Sequence, residues 1–442
     1  MTFLIVLTYF ILLLIIWKKV NDQISRRLVF IYVSYWCASL FLCRINPFDF
    51  YEVSDETYVL LLLHLVTFMI GFVLFKSTVQ KDIYNLSIQS VGKIVRNKLF
   101  IVLYIICLIF LLVLFYRQRM LLAIYTMSEM RGDFMDMILE DNKIAYFFYN
   151  TIAIGMFHFI LCLIAYMFLF ERKWKYIVFL SLYPLIWAIV SGGRNQIMSF
   201  GFYGFSMWLI ADYWQSVKNG YKSLYKISLK GKLLLLIFVV CMFLGMTIVT
   251  FLKNSTGKID KDAIIESMSD LGMNFGEYSA GPIVAFDSGL HNRAYSKQWY
   301  YGAATFSGTD YFLYVLLRQF GFQPTASIDT TTSLLQNDLI PIAPDRNWNY
   351  AYTSCMYYYF DFGVWGIILL PILFGFLTRA LIMKLYNSLN IYYIAIITFV
   401  SFCLYMTVFS GYLHKMITLL YIFVLLILSK YQISKYQRSF VR

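Results

Sequence analysis

The sequence predicts an all-α polytopic membrane protein, with about eleven transmembrane helices and one long outer-face loop that carries amphipathic helices. Hydrophobic residues make up 60% of the 442 residues and charged residues only 14%. A soluble domain of this length cannot bury that much apolar surface. The apolar runs have the length of membrane-crossing helices, and the sign of the charge alternates between the connections that separate them.

The predicted spans follow one another along most of the chain. They lie near residues 2–17, 28–45, 57–75, 99–116, 145–170, 176–190, 197–213, 233–251, 363–383, 391–410 and 415–429. This pattern divides the chain into an N-terminal transmembrane bundle (1–251, about eight helices), a long loop (252–362), and C-terminal helices with a basic tail (363–442).

The charges of the connections predict the topology. The odd-numbered connections are basic; the seventh contains Lys218, Lys222, Lys226, Lys230 and Lys232 and no acidic residue. The fourth is acidic on balance, with Glu129, Asp133, Asp136, Glu140 and Asp141. By the positive-inside rule, the N-terminus is outside and the C-terminus is cytoplasmic. The net charge of +13 therefore reflects membrane orientation and argues against nucleic acid as a partner.

A short turn on the predicted outer face, "SGGRNQ" at 191–196, contains the lone arginine Arg194 followed by Asn195. Its glycines allow a sharp backbone turn into the N-terminus of the next helix, where the helix dipole favours an anion. A guanidinium at that position suits a phosphate or pyrophosphate. The alternative is an anchor arginine that reaches towards phospholipid headgroups.

The long loop combines amphipathic and polar stretches. "DYFLYVLLRQF" (310–320) is typical of an interfacial or re-entrant helix, whereas the prolines and turn formers of "DTTTSLLQNDLIPIAPDRNWN" (329–349) argue against a continuous helix. Aromatic rings and side-chain amides in one outer loop suit a carbohydrate ligand. The loop's polar residues include Glu277, Tyr278, His291, Arg293, Arg318, Asp345, Arg346 and Asp361.

The chain resembles the Wzy-type polymerases of oligosaccharide repeat units, which make O-antigens and capsules. The resemblance lies in the order of many spans, "MSEMRGDF" (127–134) and "SGGRNQ" in outer connections, and a long outer loop with "YYGAATF" (300–306). "YYYFDFGVWGIILLPILFGF" (357–376) then opens the next helix. The resemblance implies a metal-independent glycosyltransferase that uses undecaprenyl-pyrophosphate-linked oligosaccharides at the lipid bilayer. It also implies a chain-length regulator and a flippase as partners, and no cofactor.

In such a reaction a hydroxyl of one repeat unit attacks the anomeric carbon of another, and a lipid pyrophosphate leaves. Positive groups on the outer face could stabilise the leaving group; the candidates are Arg131, Arg194, Arg293, Arg318 and Arg346, with Asn195 and Tyr278 as further binding residues. The general base is predicted among His291, Glu277, Asp345 and Asp361, in that order of preference. His64 and His158 lie inside spans, which favours packing or interhelical hydrogen bonds.

Three other functions remain open on the sequence. An O-antigen ligase uses the same donor, and "HNRAYSKQWYYGAAT" (291–305) matches the loop pattern of that family. A flippase or transporter predicts charged helices around a cavity and internal repeats, whereas these spans are nearly free of charge. A non-catalytic scaffold leaves the outer arginines and the long loop without a role.

The charge pattern places residues 191–196 and 252–361 on the same outer face. Cysteines substituted for Ser191 and Ser288 should therefore both react with a membrane-impermeant thiol reagent applied to intact cells. A cysteine in place of Lys222, in the lysine-rich seventh connection, should react only after permeabilisation. Reaction at only one of the two outer positions would contradict a shared site.

Overall fold

The structure is a computed structural model that describes residues 1–75, 91–121, 124, 142–191, 194–218, 277–291, 299–322, 340–344, 346–348, 352–388 and 390–440. The helices before the long loop are α1 (Thr2–Lys19), α2 (Gln23–Ile45), α3 (Asp55–Leu74), α4 (Val91–Val95), α5 (Lys98–Leu121), α6 (Lys143–Phe148), α7 (Ile154–Tyr166), α8 (Trp174–Ser191) and α9 (Arg194–Lys218). Short π-helical turns, Tyr149–Ala153 and Met167–Glu171, flank α7.

The long loop contributes α10 (277–291) and α11 (Ser307–Gln319), a two-stranded antiparallel hairpin of β1 (Ile340–Ala343) and β2 (Arg346–Trp348), and α12 (Ser354–Phe362). The chain then forms α13 (Val364–Ser388), α14 (Ile391–Met406), a 3-10 turn (Tyr412–His414) and α15 (Met416–Phe440). The amphipathic stretch at 310–320 is helical as predicted. For the proline-containing stretch at 329–349, the sequence argued against a continuous helix, and its described residues form a hairpin.

Among the described residues, seven helices are long and apolar enough to cross a membrane: α1, α2, α3, α5, Ile144–Glu171, α8 and Val364–Leu385. Shorter apolar helices occupy Met198–Ile210, Ile391–Met406 and Met416–Gln432. Seven predicted spans coincide with these seven helices, and the spans near 197–213, 391–410 and 415–429 overlap the three shorter ones. The span at 233–251 lies outside the described residues, so the described helices do not establish the count of eleven. The chain is therefore a mostly helical, multi-pass membrane protein.

Contacts divide the chain into two compact units that do not follow sequence order. Unit 1 comprises Met1–Leu86, Met273–Leu389 and Cys403–Arg442; unit 2 comprises Ser87–Gly272 and Asn390–Phe402. The loop elements α10, α11, the hairpin and α12 thus belong with the first and last helices of the chain.

In unit 1, α3 and α13 pack with their backbones in contact. A Cβ atom at Gly71 would overlap the carbonyl oxygen of Ile372, and one at Gly375 would overlap that of Phe68. Glycine permits this approach, which is a usual basis of helix association in membranes. Farther along the pair, the Thr67 hydroxyl donates to the carbonyl oxygen of Ile367 (3.1 Å).

Side-chain caps define where the helices of unit 1 begin. Asp22 caps α2 by accepting from the Ser25 amide (2.9 Å), and its second carboxylate oxygen pairs with Arg379 of α13. Ser54 caps α3 by accepting from the Thr57 amide (3.3 Å). These caps satisfy amides that have no partner within the helix.

Unit 2 is held by polar groups that reach between helices. The Tyr104 hydroxyl of α5 donates to the carbonyl oxygen of Phe179 in α8 (2.7 Å). The carboxylate of Glu171 accepts from the Val91 amide at the start of α4 (2.5 Å). Because polar groups in an apolar bundle need partners, each such bond restricts how the helices can pack.

The two histidines inside predicted spans make interhelical contacts, as expected. His64 Nε2 lies 3.0 Å from the Tyr32 hydroxyl, and His158 Nδ1 lies 3.0 Å from the Tyr203 hydroxyl. The six cysteines within the described ranges are buried free thiols: Cys37, Cys43, Cys107, Cys162, Cys355 and Cys403.

The contact between α3 and α13 predicts that larger residues will separate the two helices. Gly71→Leu and Gly375→Leu should each lower the free energy of unfolding by about 3 kcal/mol or more, because the added atoms meet backbone that cannot rotate away. Gly204→Ala in α9 is the matched control, since nothing lies within 4 Å of its Cβ position. The apparent Tm of the solubilised protein reports both. An unchanged Tm for the leucine variants would contradict the packing.

Candidate active site

Helix α10 is the part of the long loop that brings polar groups to the start of α3. It packs closely on its neighbours in unit 1, because a Cβ atom at Gly281 would lie 3.0 Å from the Trp348 ring, and one at Gly289 would overlap the Met356 side chain. The Tyr278 ring also contacts that of Trp348, with centroids 5.4 Å apart. The hairpin and α12 therefore support α10 from two sides.

Asp287 of α10 joins the N-terminus of α3. One carboxylate oxygen, Oδ1, accepts from the Ser54 hydroxyl (2.5 Å), the Ser54 amide (3.1 Å) and the Thr57 hydroxyl (2.7 Å). A carboxylate at a helix N-terminus is also favoured by the helix dipole. The result is a rigid junction between the loop and a transmembrane helix.

His291 lies one helical turn after Asp287 and shares the same junction. Its Nε2 atom is 3.0 Å from the Ser54 hydroxyl oxygen and 3.5 Å from Asp287 Oδ1, and 41% of its side chain is exposed. Nδ1 has no hydrogen-bond partner among the described residues. One ring nitrogen is thus held by the protein and the other is available.

The hydrogen-bond network assigns the protons of this junction. The single Ser54 hydroxyl hydrogen is directed to Asp287 in the shortest contact, so Ser54 Oγ can only accept from the imidazole. Both neighbours of Nε2 are then acceptors, which places the ring hydrogen on Nε2 and leaves Nδ1 as a proton acceptor. This is the arrangement required of a general base.

The arrangement differs from a serine nucleophile with a histidine base. In that mechanism the carboxylate and the hydroxyl contact opposite nitrogens of the ring. Here Ser54 and Asp287 face the same nitrogen, and the Ser54 hydrogen is given to the carboxylate. The geometry orients His291 and does not activate Ser54.

Glu277, the second candidate base, forms an ion pair with Arg346. The Arg346 guanidinium donates to the Glu277 carboxylate (2.8 Å), with both side chains largely covered. The pair links the first described residue of α10 to β2. Two residues that the sequence suggested for proton transfer and pyrophosphate binding are thus engaged with each other.

Asp361 is buried at the end of α12. Its two carboxylate oxygens accept from the backbone amides of Ala304 and Thr305, each at 2.8 Å. Burial raises its pKa, and the hydrogen bonds from Thr305 and the backbone act in the opposite direction. Asp361 thereby holds the "YYGAATF" segment against α12, where the Tyr300 amide also donates to the carbonyl oxygen of Phe360 (3.0 Å).

The remaining predicted residues are not brought into this junction by the described structure. Arg318 is exposed on α11 and donates to Tyr314 of the same helix (3.0 Å). Arg194 and Asn195 begin α9, which belongs to unit 2. Arg131, Arg293 and Asp345 lie outside the described residues.

Sequence reasoning missed Asp287, Ser54 and Thr57. Asp287 is four residues before His291, a spacing that places both on one face of a helix. Ser54 precedes two acidic residues and an apolar run, which is a usual N-terminal signal for a helix. The sequence alone does not show that Asp287 and Ser54 contact each other, because they are more than two hundred residues apart along the chain.

Comparisons with protein-family models, curated proteins and solved structures gave no match. The candidate site therefore stands on its own geometry.

Asp361→Ala should destabilise the turn at 300–306, because two buried amides lose their acceptor. Each unsatisfied amide costs about 1–3 kcal/mol, so we expect a clearly lower Tm and faster proteolysis within 299–306. Glu52→Ala removes an exposed carboxylate from the second connection and is the control. Equal Tm values for the two variants would show that Asp361 does not support the turn.

Proposed function

We propose that the protein is a metal-independent glycosyltransferase that joins undecaprenyl-pyrophosphate-linked oligosaccharide repeat units into a surface polysaccharide, an O-antigen or a capsule. It would act on the outer face of the bacterial cytoplasmic membrane, with the N-terminus outside and the C-terminus cytoplasmic. The observation that carries the proposal is the oriented imidazole of His291, with Nδ1 available for a proton. The motif resemblance supplies the class of reaction.

In the first half of the reaction, His291 accepts a proton. A hydroxyl of the acceptor repeat unit donates its hydrogen to Nδ1 as its oxygen forms a bond with the anomeric carbon of the donor. The imidazolium and the Asp287 carboxylate then form an ion pair, with 3.5 Å between Nε2 and Oδ1. Because 41% of the His291 side chain is exposed, the proton can leave to water afterwards.

In the second half, the bond between the anomeric carbon and the pyrophosphate oxygen breaks, and the pyrophosphate takes the electron pair. This leaving group is already a stable anion, so it needs positive charge more than a proton. We assign that charge to the outer-face arginines, with Arg194 of the "SGGRNQ" turn foremost, as the sequence predicts. A chain-length regulator and a flippase are the partners that the resemblance implies.

An O-antigen ligase is the second candidate, and one observation favours it. His291 is the first residue of the stretch "HNRAYSKQWYYGAAT" that matches the ligase loop pattern. The same base would serve both reactions, since they differ only in the acceptor. Glycan analysis of a deletion strain separates them: a polymerase defect leaves single repeat units attached, and a ligase defect leaves none attached.

His291→Ala should reduce extension of a lipid-linked repeat unit by purified protein about 100-fold or more, the usual size of a general-base contribution. Added imidazole should restore part of that activity, which a structural role of His291 would not produce. Asp287→Asn should cause a smaller loss and gain nothing from imidazole.

Glu52→Gln is the matched control for Asp287→Asn, because it replaces an exposed carboxylate two residues from Ser54. The assay contains no nucleotide sugar, and the length of the lipid-linked products is read by gel and mass spectrometry. Extension at the wild-type rate by His291→Ala, at equal protein level, would show that the base is another residue.

A further inference from the structure

The connection between α14 and α15 is a break in the outer part of unit 1. Helix α14 has 16 residues and is about 24 Å long, whereas the hydrocarbon core of a bilayer is about 30 Å thick. Non-helical backbone at membrane depth is tolerated only when protein or water surrounds it. Here the Ser354 amide donates to the carbonyl oxygen of Thr407 (2.8 Å), and Trp36 donates to the Thr407 hydroxyl (2.9 Å).

Lys415 is the last residue of this connection, and it has no carboxylate partner among the described residues. Its ammonium lies 4.2 Å from the centroid of the Tyr412 ring, and it forms no ion pair within the described part of the chain. Its side chain is half-buried. A partly desolvated cation is unfavourable unless it is paired, and at membrane depth such groups are usually functional.

The backbone around Lys415 is also electropositive. Helix α15 begins at Met416, and α11 begins against it, with the Ser307 hydroxyl donating to the carbonyl oxygen of His414 (3.3 Å). A Cβ atom at Gly308 would overlap the Met416 amide nitrogen. Two helix N-termini therefore meet at the backbone of Lys415, and their dipoles favour an anion there.

The neighbouring side chains leave hydrogen-bonding capacity unused. The His414 ring stacks on Tyr357 with centroids 4.5 Å apart, and its buried Nδ1 atom has no partner. Burial lowers the pKa of His414 to about 3, so this ring adds no second charge. Asp310, in the first turn of α11, has one buried oxygen without a partner and forms no ion pair with Lys415.

We propose that Lys415, with the N-terminus of α15, binds a phosphate group of a lipid, and we assign that group to the pyrophosphate of the lipid-linked oligosaccharide. This assignment rests on the proposed function. The apolar stretch Met416–Gln432 spans about 25 Å, which puts Lys415 close to the outer boundary of the hydrocarbon, where a lipid pyrophosphate lies. A phospholipid headgroup offers the same chemistry at a similar depth.

Binding of undecaprenyl pyrophosphate to the purified full-length protein tests the proposal. The protein is placed in phosphatidylcholine nanodiscs, and the Kd is measured for wild type, Lys415→Met, Lys415→Arg and Lys175→Met. Loss of a charge-assisted contact should raise the Kd of Lys415→Met about tenfold or more, whereas Lys415→Arg should retain most of the affinity. Lys175→Met removes an exposed lysine of the fifth connection and should bind as wild type does. A wild-type Kd for Lys415→Met overturns the proposal.

A second measurement uses wild-type protein and so does not depend on how the variants fold. Acylation of Lys415 by an amine reagent, followed by mass spectrometry, should slow several-fold when undecaprenyl pyrophosphate is bound; unchanged acylation overturns the proposal. Equal protection by phosphatidylglycerol in the nanodisc overturns the assignment to the lipid-linked substrate. Because neither measurement needs polymer formation, protection without polymerisation supports the site even where the proposed function fails.

Discussion

The backbone contact between α3 and α13 is the constraint on which the candidate site in unit 1 depends. Gly71 and Gly375 let the two helices approach until main-chain atoms touch, so the helices cannot slide past each other without a clash. The alignment of α3 against α13 therefore determines which residues at the start of one helix lie beside the start of the other. Ser54 caps α3, and α12 ends just before α13, with Asp361 holding the 300–306 turn. The candidate site is assembled on these helix starts.

The environment of each histidine decides what it can do, and all four histidines of the chain lie in described segments. His64 and His158 each face a tyrosine hydroxyl within the helices. His414 is stacked on Tyr357 and kept neutral by burial. His291 alone among them combines an exposed side chain, an oriented ring and a nitrogen without a partner in the described structure. The other three histidines have the same side chain, so the environment of His291 is what distinguishes it from them.

Hydropathy predicted most helices well because a membrane span must be both long and apolar, a requirement visible in any window of the sequence. The predicted span at 391–410 ends instead at Met406 in the structure, since Thr407 takes part in a polar contact with Trp36. The site was harder to predict. The residue type of His291 was enough to suggest it as a candidate base. Its orientation, however, depends on Asp287 and on Ser54, which lies more than two hundred residues earlier in the chain. Nothing in the sequence indicated that Lys415 is half-buried and lacks a carboxylate partner among the described residues.

Helix α12 connects the two functional features that the structure suggests. Met356 meets Gly289 of α10, two residues before His291, and the next residue, Tyr357, stacks on His414 beside Lys415. Consecutive residues on one short helix therefore contact the elements that carry His291 and Lys415. In the proposed reaction, such a linkage would keep His291 and Lys415 in a constant relation while the sugar is transferred. A nine-residue helix, held by Asp361 at its end and by Ser354 at its start, is stiff enough to maintain such a relation.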